Sequence, residues 1–265
     1  MTIKVAVSGA LGKMGRTVVA AVAADPELQL VAAVDIAKDK SDAVLAVPGM
    51  PALSISRELE PALQASRPDV LIDFTSPFTV MQNIEIAMKN RVRPVVGTTG
   101  ITAADLEKIR SWSEAYGTSA FIAPNFALGA VLMMHFARLA ARYLPEAEII
   151  ELHHDQKVDA PSGTAIKTAE MIAAARSREV RREIEELEKV EGARGGNLSG
   201  VRIHSVRLPG FVAHQEVIFG GTGQTLAIRH DSTDRTSFMP GVLLAVKEIM
   251  KREGVIYGLE NILDL

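Results

Sequence analysis

The sequence predicts an α/β protein: a doubly wound parallel sheet, joined to a second α+β domain with an open mixed or antiparallel sheet. Three observations carry this prediction. Strand-like and helix-like patterns alternate through roughly the first 125 residues, the pattern of a parallel sheet covered by helices on both faces. The first alternation turns on a glycine-rich stretch, Gly9-Ala10-Leu11-Gly12-Lys13-Met14-Gly15. Beyond residue 200, period-2 patterns follow one another through glycine turns without helices between them, which marks a change of architecture.

Ile3 to Ser8 alternates as a strand, and Val18, Val19, Val22 and Ala23 give the helix after the glycines its apolar side. Strand, glycine turn and helix open a Rossmann-type unit, in which backbone N–H groups at the helix start approach a pyrophosphate. The spacing is Gly-x2-Gly-x2-Gly rather than Gly-x-Gly-x2-Gly, so a glycine turn without a ligand has the same letters. Leu28 to Val34 reads as the second strand and ends at Asp35, twenty residues after Gly15. An acid there suits the adenosine ribose hydroxyls. A carboxylate also repels a 2′-phosphate, which favours NAD, while Lys13 or Lys38 offers a countercharge.

Residues 37–56 carry Pro-Gly and Lys/Asp punctuation and read as an irregular crossing. A helix is expected over Arg57–Ser66, a buried strand over Val70–Thr75 and a helix over Val80–Lys89. Asp73 to Pro77 then falls on the ligand-binding edge of such a sheet. Phe74 there suits either a nicotinamide pocket or the core. A strand ends in Gly97-Thr98-Thr99-Gly100, small residues that permit close backbone approach to a planar ring and offer partners for a carboxamide. Leu106–Tyr116 reads as a helix with Trp112 as packing, and Ser119–Ile122 as a strand closing on Ala123-Pro124-Asn125-Phe126.

Leu128–Tyr143 is expected as a long apolar helix in which Met133 and Met134 are core and His135 is structural. Residues 147–152 read as a strand, and a helix runs from Ala165 to Ala175. Arg176 to Lys189 mixes charges densely, and pairs such as Arg182–Glu186 and Glu185–Lys189 suit an exposed helix. Gly192 to Gly196 reads as a mobile loop. Val201–Arg207, Gly210–Phe219 and Gln224–His230 read as antiparallel strands, with His204, His214 and His230 as structural residues. Thr236–Arg252 is a final amphipathic helix.

Composition narrows the function. Hydrophobic content of 48% and charged content of 23% over 265 residues suit a soluble globular chain of one or two domains. A net charge of -3 gives no sign of a nucleic-acid partner. With no cysteine there are no disulfides, thiolate metal sites or cysteine nucleophile. No apolar run reaches membrane-spanning length and no signal-peptide pattern opens the chain, so no membrane partner is expected and the cytoplasm is the expected location.

The chemistry concentrates between the strand at 147–152 and the helix that follows: His153, His154, Lys157 and the turn Pro161-Ser162-Gly163-Thr164. Ser162 is a good N-cap, and Gly163 and Thr164 present first-turn N–H groups that favour an anion. Lys157 adds a positive charge, and a histidine can pass a proton near neutrality. A small anionic substrate that must be protonated fits this set. A solvated loop before a capped helix has the same composition. The paired histidines lack a third ligand at zinc spacing, so no metal is expected.

The run from Glu151 to Ala165, with His153, His154, Lys157, Asp159 and Pro161-Ser162-Gly163-Thr164 at fixed positions, closely resembles the signature of the 4-hydroxy-tetrahydrodipicolinate reductase (dihydrodipicolinate reductase) family. The resemblance spans essentially the whole chain and is strongest at residues 9–15, 97–100, 123–126 and 151–165. It implies reduction of 4-hydroxy-tetrahydrodipicolinate to tetrahydrodipicolinate with NADH or NADPH, in diaminopimelate–lysine biosynthesis. It implies His153 as general acid, Lys157 as second proton donor and carboxylate binder, and His154, Gly163 and Thr164 as further substrate contacts. Gly9, Ala10, Leu11, Gly12, Lys13, Met14, Asp35, Gly97, Thr98, Thr99, Ala123, Pro124, Asn125 and Phe126 would contact the cofactor. Residues 1–126 and 236–265 would form the dinucleotide-binding domain, and 127–235 the substrate-binding and oligomerisation domain of a homotetramer. Closure of the two domains would exclude water. Family members can carry an arginine after the acid, where this chain has Ile36, which weakens the case for strong NADP preference. Two other readings share the plan: another imine reductase, such as an aspartate dehydrogenase-like enzyme, and a nucleotide-sensing module without turnover.

Overall fold

The computed structural model describes residues 2–36, 44–47, 52–177 and 187–263. Two compact units emerge, one formed by Met1–Phe126 with Phe238–Asp264 and the other by Ala127–Ser237. Lys38 and the 182–186 and 185–189 charge pairs lie wholly or partly outside the described residues.

The first unit begins with β1 (Ile3–Ser8), α1 (Lys13–Ala24) and β2 (Leu28–Val34). Val5, Val7, Val18 and Val22 are fully buried, each worth roughly 1.5–3 kcal/mol of transfer free energy. The stretch expected to be irregular contains two short strands, β3 (Val44–Leu45) and β4 (Leu53–Ser56). β4 lies parallel to β2, and β3 antiparallel to β4. Two and four residues are too few to display a period, so only the pairing identifies them.

The chain continues through α2 (Leu59–Ser66), β5 (Val70–Asp73), α3 (Val80–Lys89), β6 (Arg93–Val96), α4 (Ala103–Tyr116) and β7 (Ala120–Ile122). The α4 helix starts before Leu106 because Thr102 and Asp105 form a reciprocal capping box. Core clusters lie on Leu59, Leu63, Leu71 and Ala87, and on Ile84, Met88, Ile109 and Ile122, with Trp112 packed against the latter.

The second unit contains α5 (Leu128–Ala140), β8 (Glu146–His153), α6 (Gly163–Ala175), β9 (Gly196–Leu198), β10 (Val201–Arg207), β11 (Ala213–Gly221) and β12 (Gln224–Ser232). Its sheet order is β12-β11-β8-β10-β9. The expected run of antiparallel strands needs correcting: β10 pairs with β8 in parallel, whereas β11 is antiparallel to both β8 and β12. Parallel neighbours need a long crossover, and α6 lies in the connection. Gly196, expected in a mobile loop, instead begins β9. The α5 helix ends at Ala140, short of Tyr143, in a turn where Tyr143 and Leu144 both bond the Ala140 carbonyl.

The last segment belongs to the first unit. A 3-10 turn at Arg235–Phe238 precedes α7 (Met239–Ile249), which starts later than expected because Pro240 suits a first helical turn. The α7 helix packs on α1, β6 and β7. A further strand, β13 (Val255–Tyr257), extends the sheet beside β7 and was not evident from three residues of sequence. The order β13-β7-β6-β5-β1-β2-β4-β3 reverses direction between β5 and β1, where doubly wound sheets open a crevice at their strand C-termini. No helix among the described residues is long and apolar enough to cross a membrane.

Candidate active site

In the first unit, the candidate cofactor residues collect at the C-terminal ends of β1, β2, β6 and β7. Gly9 sits at φ 78°, and its N–H bonds the Val34 carbonyl at 2.9 Å. Gly15 is pressed against the turn so closely that a Cβ there would lie 1.9 Å from the Gly9 carbonyl oxygen. Gly12 is the N-cap of α1, and no side chain caps this helix start. Its first-turn N–H groups can therefore meet an anion. Leu11 N–H donates to Asp35 Oδ2 at 2.8 Å, which ties the acid at the end of β2 to the glycine turn. Ile36 beside it is 77% exposed. Lys13 is exposed at the start of α1, and Met14 is half-buried beside it.

The Gly97–Thr99 segment is held by Asp73, a buried acid at the end of β5. Asp73 Oδ1 accepts from Thr98 Oγ1 at 2.7 Å and Thr75 Oγ1 at 2.8 Å, while Oδ2 accepts from Asn83 Nδ2 at 2.8 Å. The carboxylate also accepts from Thr75 N–H, which ends β5 two residues before the expected limit. Phe74 packs its ring against Gly97 and lies 5.9 Å from the Phe126 ring. Ala123 N–H bonds the Val96 carbonyl at 3.1 Å, so the segment from Ala123 to Phe126 leaves the sheet beside Gly97. Pro124 is exposed there and Asn125 half-buried. A left-handed glycine, an uncapped helix start and an acid at the second strand together fit a dinucleotide.

In the second unit, alternation along β8 places Ala147, Ile149, Glu151 and His153 on one face. The first three are buried, and His153 is the half-buried last residue of the strand. Glu151, with no exposed side-chain surface, accepts from His153 Nδ1. It also receives two bonds from Arg207, Nη1 to Oε2 at 3.0 Å and Nη2 to Oε1 at 2.7 Å. Burial pushes the Glu151 carboxyl up, but bonds from His153, Arg207 and Ser205 outweigh it and hold the group at about 2. With Nδ1 engaged by a carboxylate, Nε2 is the ring nitrogen left to face a substrate.

Arg207 Nη2 also donates to the Asp159 carbonyl at 2.8 Å. The Asp159 carboxylate holds Lys157 Nζ at 2.7 and 2.8 Å, and this ammonium keeps Asp159 below its ordinary value. His153, Glu151, Arg207, Asp159 and Lys157 thus form one connected chain. His154 is exposed in the loop, and its carbonyl accepts from Lys157 N–H at 3.2 Å. Ser162 caps α6, its Oγ accepting from Ala165 N–H at 3.2 Å. Gly163 is exposed and Thr164 half-buried in the first turn. The Thr164 carbonyl accepts from Thr168 Oγ1, which in turn accepts from the buried Gln215. Cations, a capped helix start and a carboxylate-backed histidine suit a small dianion that must gain a proton.

Structural partners occupy the remaining histidines. His204 Nε2 lies 2.8 Å from Glu148 Oε2, and His214 Nδ1 lies 2.6 Å from Asp231 Oδ1. His230 packs on Gly129, and burial lowers its pKa, with Asp231 opposing and His214 adding to the effect. His135 Nδ1 is 3.4 Å from Arg138. No group of three or more His, Cys, Asp or Glu able to hold a metal is present among the described residues. Sequence reasoning missed the contribution of Arg207. Its one sequence signal is a charged residue ending an apolar strand pattern, which says nothing about its partner. Glu151 was missed as well, although it stands two positions before His153, where a strand puts both side chains on one face.

Known proteins match nearly the whole chain. Sequence profiles described as "Dihydrodipicolinate reductase, N-terminus" and "Dihydrodipicolinate reductase, C-terminus" match residues 3–126 and 129–263. A 4-hydroxy-tetrahydrodipicolinate reductase from Syntrophomonas wolfei is 55% identical over 262 residues, covering 98% of both chains. The protein of that name from Bacillus subtilis is 49% identical over 263 residues, covering 99% of this chain and 98% of its own. The solved structure of a dipicolinate-bound dihydrodipicolinate reductase from Paenisporosarcina sp. TG-14 superposes with a TM-score of 0.89. It is 46% identical, with coverage of 99% of this chain and 100% of its own.

Proposed function

This chain belongs to the dihydrodipicolinate reductase family, and from that premise we propose that His153 and Lys157 carry out its proton chemistry. The enzyme reduces 4-hydroxy-tetrahydrodipicolinate to tetrahydrodipicolinate in diaminopimelate–lysine biosynthesis, consuming NAD(P)H and a proton and releasing water and NAD(P)+. The observation that carries the assignment is the buried Glu151 carboxylate on His153 Nδ1, which directs Nε2 to the substrate.

Gly9 to Met14 and Asp35 bind the pyrophosphate and adenosine ribose. Gly97, Thr98, Thr99 and residues 123–126 line the nicotinamide side. When bound, the reduced nicotinamide supplies the hydride that goes to C4 of the substrate ring. Gly163 and Thr164 N–H groups, with Lys157 and His154, hold the two carboxylates. His153 protonates the conjugated imine system as negative charge builds, and Lys157 is the second donor. NADH or NADPH is the reductant, and the Asp35 carboxylate with Ile36 beside it argues against a strong preference for NADPH. The two units of the chain are the dinucleotide-binding domain and the substrate-binding and oligomerisation domain. Its family implies assembly as a homotetramer in the cytoplasm, and exposed Leu226 on edge strand β12 is an apolar side chain that such assembly would cover.

The test follows reduced-nicotinamide absorbance with purified protein and substrate formed in situ from pyruvate and aspartate semialdehyde by the upstream synthase. Oxidation that depends on the synthase supports the reading. Folded protein that binds NADH yet oxidises neither cofactor contradicts it.

A further inference from the structure

We propose that Glu151 and Arg207 are positioning residues for the proton donors, with Glu151 fixing the ring of His153 and Arg207 bracing Glu151 and the Lys157 loop together. The inference rests on His153 as the general acid and goes beyond it by assigning work to two residues that bond the proton donors' supports, Glu151 on His153 Nδ1 and Arg207 on Glu151 and the Asp159 carbonyl. Neither side chain has an obvious structural reason to be where it is. A carboxylate and a guanidinium lie together on the helix-covered face of a sheet, continuing the apolar line of Ala147 and Ile149. Buried ion pairs of this sort do not surpass well-packed apolar residues in stability. What the pair adds is geometry.

The register explains how it is built. β10 runs parallel to β8 with Ser205 beside Glu151 and Arg207 beside His153, and the Leu208 N–H bonds the His153 carbonyl at 3.1 Å. Arg207 therefore reaches back along the face to Glu151 with both terminal nitrogens. A planar, two-point grip leaves the carboxylate little freedom to rotate. The carboxylate in turn holds Nδ1 and sets the imidazole plane. The second bond from Nη2, to the Asp159 carbonyl, fixes the backbone of the residue whose carboxylate holds Lys157. A single guanidinium thus connects the two residues that donate protons and bind the substrate. Ligand-holding histidines that donate a ring N–H to a neighbouring carboxylate are commonly fixed in tautomer and orientation in this way.

The test is a double-mutant cycle on the full-length enzyme, reading kcat and KM in the synthase-coupled assay and NADH affinity by fluorescence titration. Glu151→Gln keeps the volume and removes the charge; we expect kcat to fall about 10- to 100-fold, a fraction of what losing general acid catalysis costs. NADH affinity should not change, and KM should move much less than kcat. Combined with His153→Ala, the same substitution should change kcat by no more than about two-fold, because coupled residues are not additive. Arg207→Lys, which keeps the charge and loses the two-point grip, should retain more activity than Arg207→Ala. If Glu151→Gln fails to fold by circular dichroism, Arg207→Lys carries the same cycle. Parent-like kcat in Glu151→Gln, or an equal loss in the His153→Ala background, overturns the positioning role. Parent-like turnover in His153→Ala itself removes the premise and overturns both readings, so the two failures are separable.

Discussion

Glu151 and Arg207 meet through two nitrogen–oxygen contacts of 3.0 and 2.7 Å, on a carboxylate held at about 2. Because the folded-state value lies below the ordinary 4.5, the stability it contributes is fully present above pH 4.5 and fades as pH falls towards 2. The contribution is on the order of 3 kcal/mol. At neutral pH, Glu151→Gln should therefore melt lower than the parent, and the gap should narrow steadily between pH 5 and about pH 2 as the parent's carboxylate protonates. Melting curves across that range check this; a gap independent of pH would count against the ion pair.

His153→Ala and Lys157→Ala should each lower kcat by about 10²- to 10⁴-fold, the usual worth of a positioned acid. Both residues belong to the second unit, so NADH affinity measured by titration should stay at the parent value. Near-normal turnover in either variant would remove that residue from the mechanism.

How much of this was open to inspection in the sequence varies by element. Strands β1 and β2 and helix α3 appear where their periodicity puts them, since the apolar residues at these positions face one core. Strands β4 and β13 were not legible because so few residues carry no period, and their existence depends on neighbours distant in the chain. The site divides in the same way. Glycines 9, 12 and 15 and the residues from His153 to Thr164 stand together because spacing along one turn or loop sets their geometry, whereas Asp35 reaches the glycine turn through the pairing of β1 with β2. Arg207 is not, because its partner is decided by β10 pairing in parallel with β8 across an interval of some fifty residues.

Gly15 leaves no room for a methyl group, since a Cβ would sit 1.9 Å from a backbone oxygen that cannot move without opening the turn. Gly15→Ala should therefore weaken NADH binding at least about ten-fold, through displacement of the N–H groups that meet the pyrophosphate. Gly163→Ala, where nothing beyond its chain neighbours and its own helix backbone lies within 4 Å of the new Cβ, should leave NADH binding unaltered. Fluorescence titration of both variants distinguishes a shaped turn from a tolerant one.

Asp35 is held towards the glycine turn by the Leu11 N–H at 2.8 Å, and its negative charge disfavours a 2′-phosphate. Asp35→Asn should raise the ratio of kcat/KM for NADPH to that for NADH, mostly by losing the ribose contact to NADH. An unchanged ratio would take Asp35 out of cofactor selection.

Hydride delivery to C4 of the substrate ring is read without intermediaries by isotope transfer. Cofactor carrying deuterium at the transferable position of the nicotinamide is supplied with substrate formed in situ, and the product is read by nuclear magnetic resonance. Deuterium is expected at C4 of tetrahydrodipicolinate, one atom per turnover, accumulating about 10²- to 10⁴-fold more slowly in His153→Ala. Deuterium at another carbon, or cofactor oxidation that leaves the product unlabelled, would contradict delivery to C4.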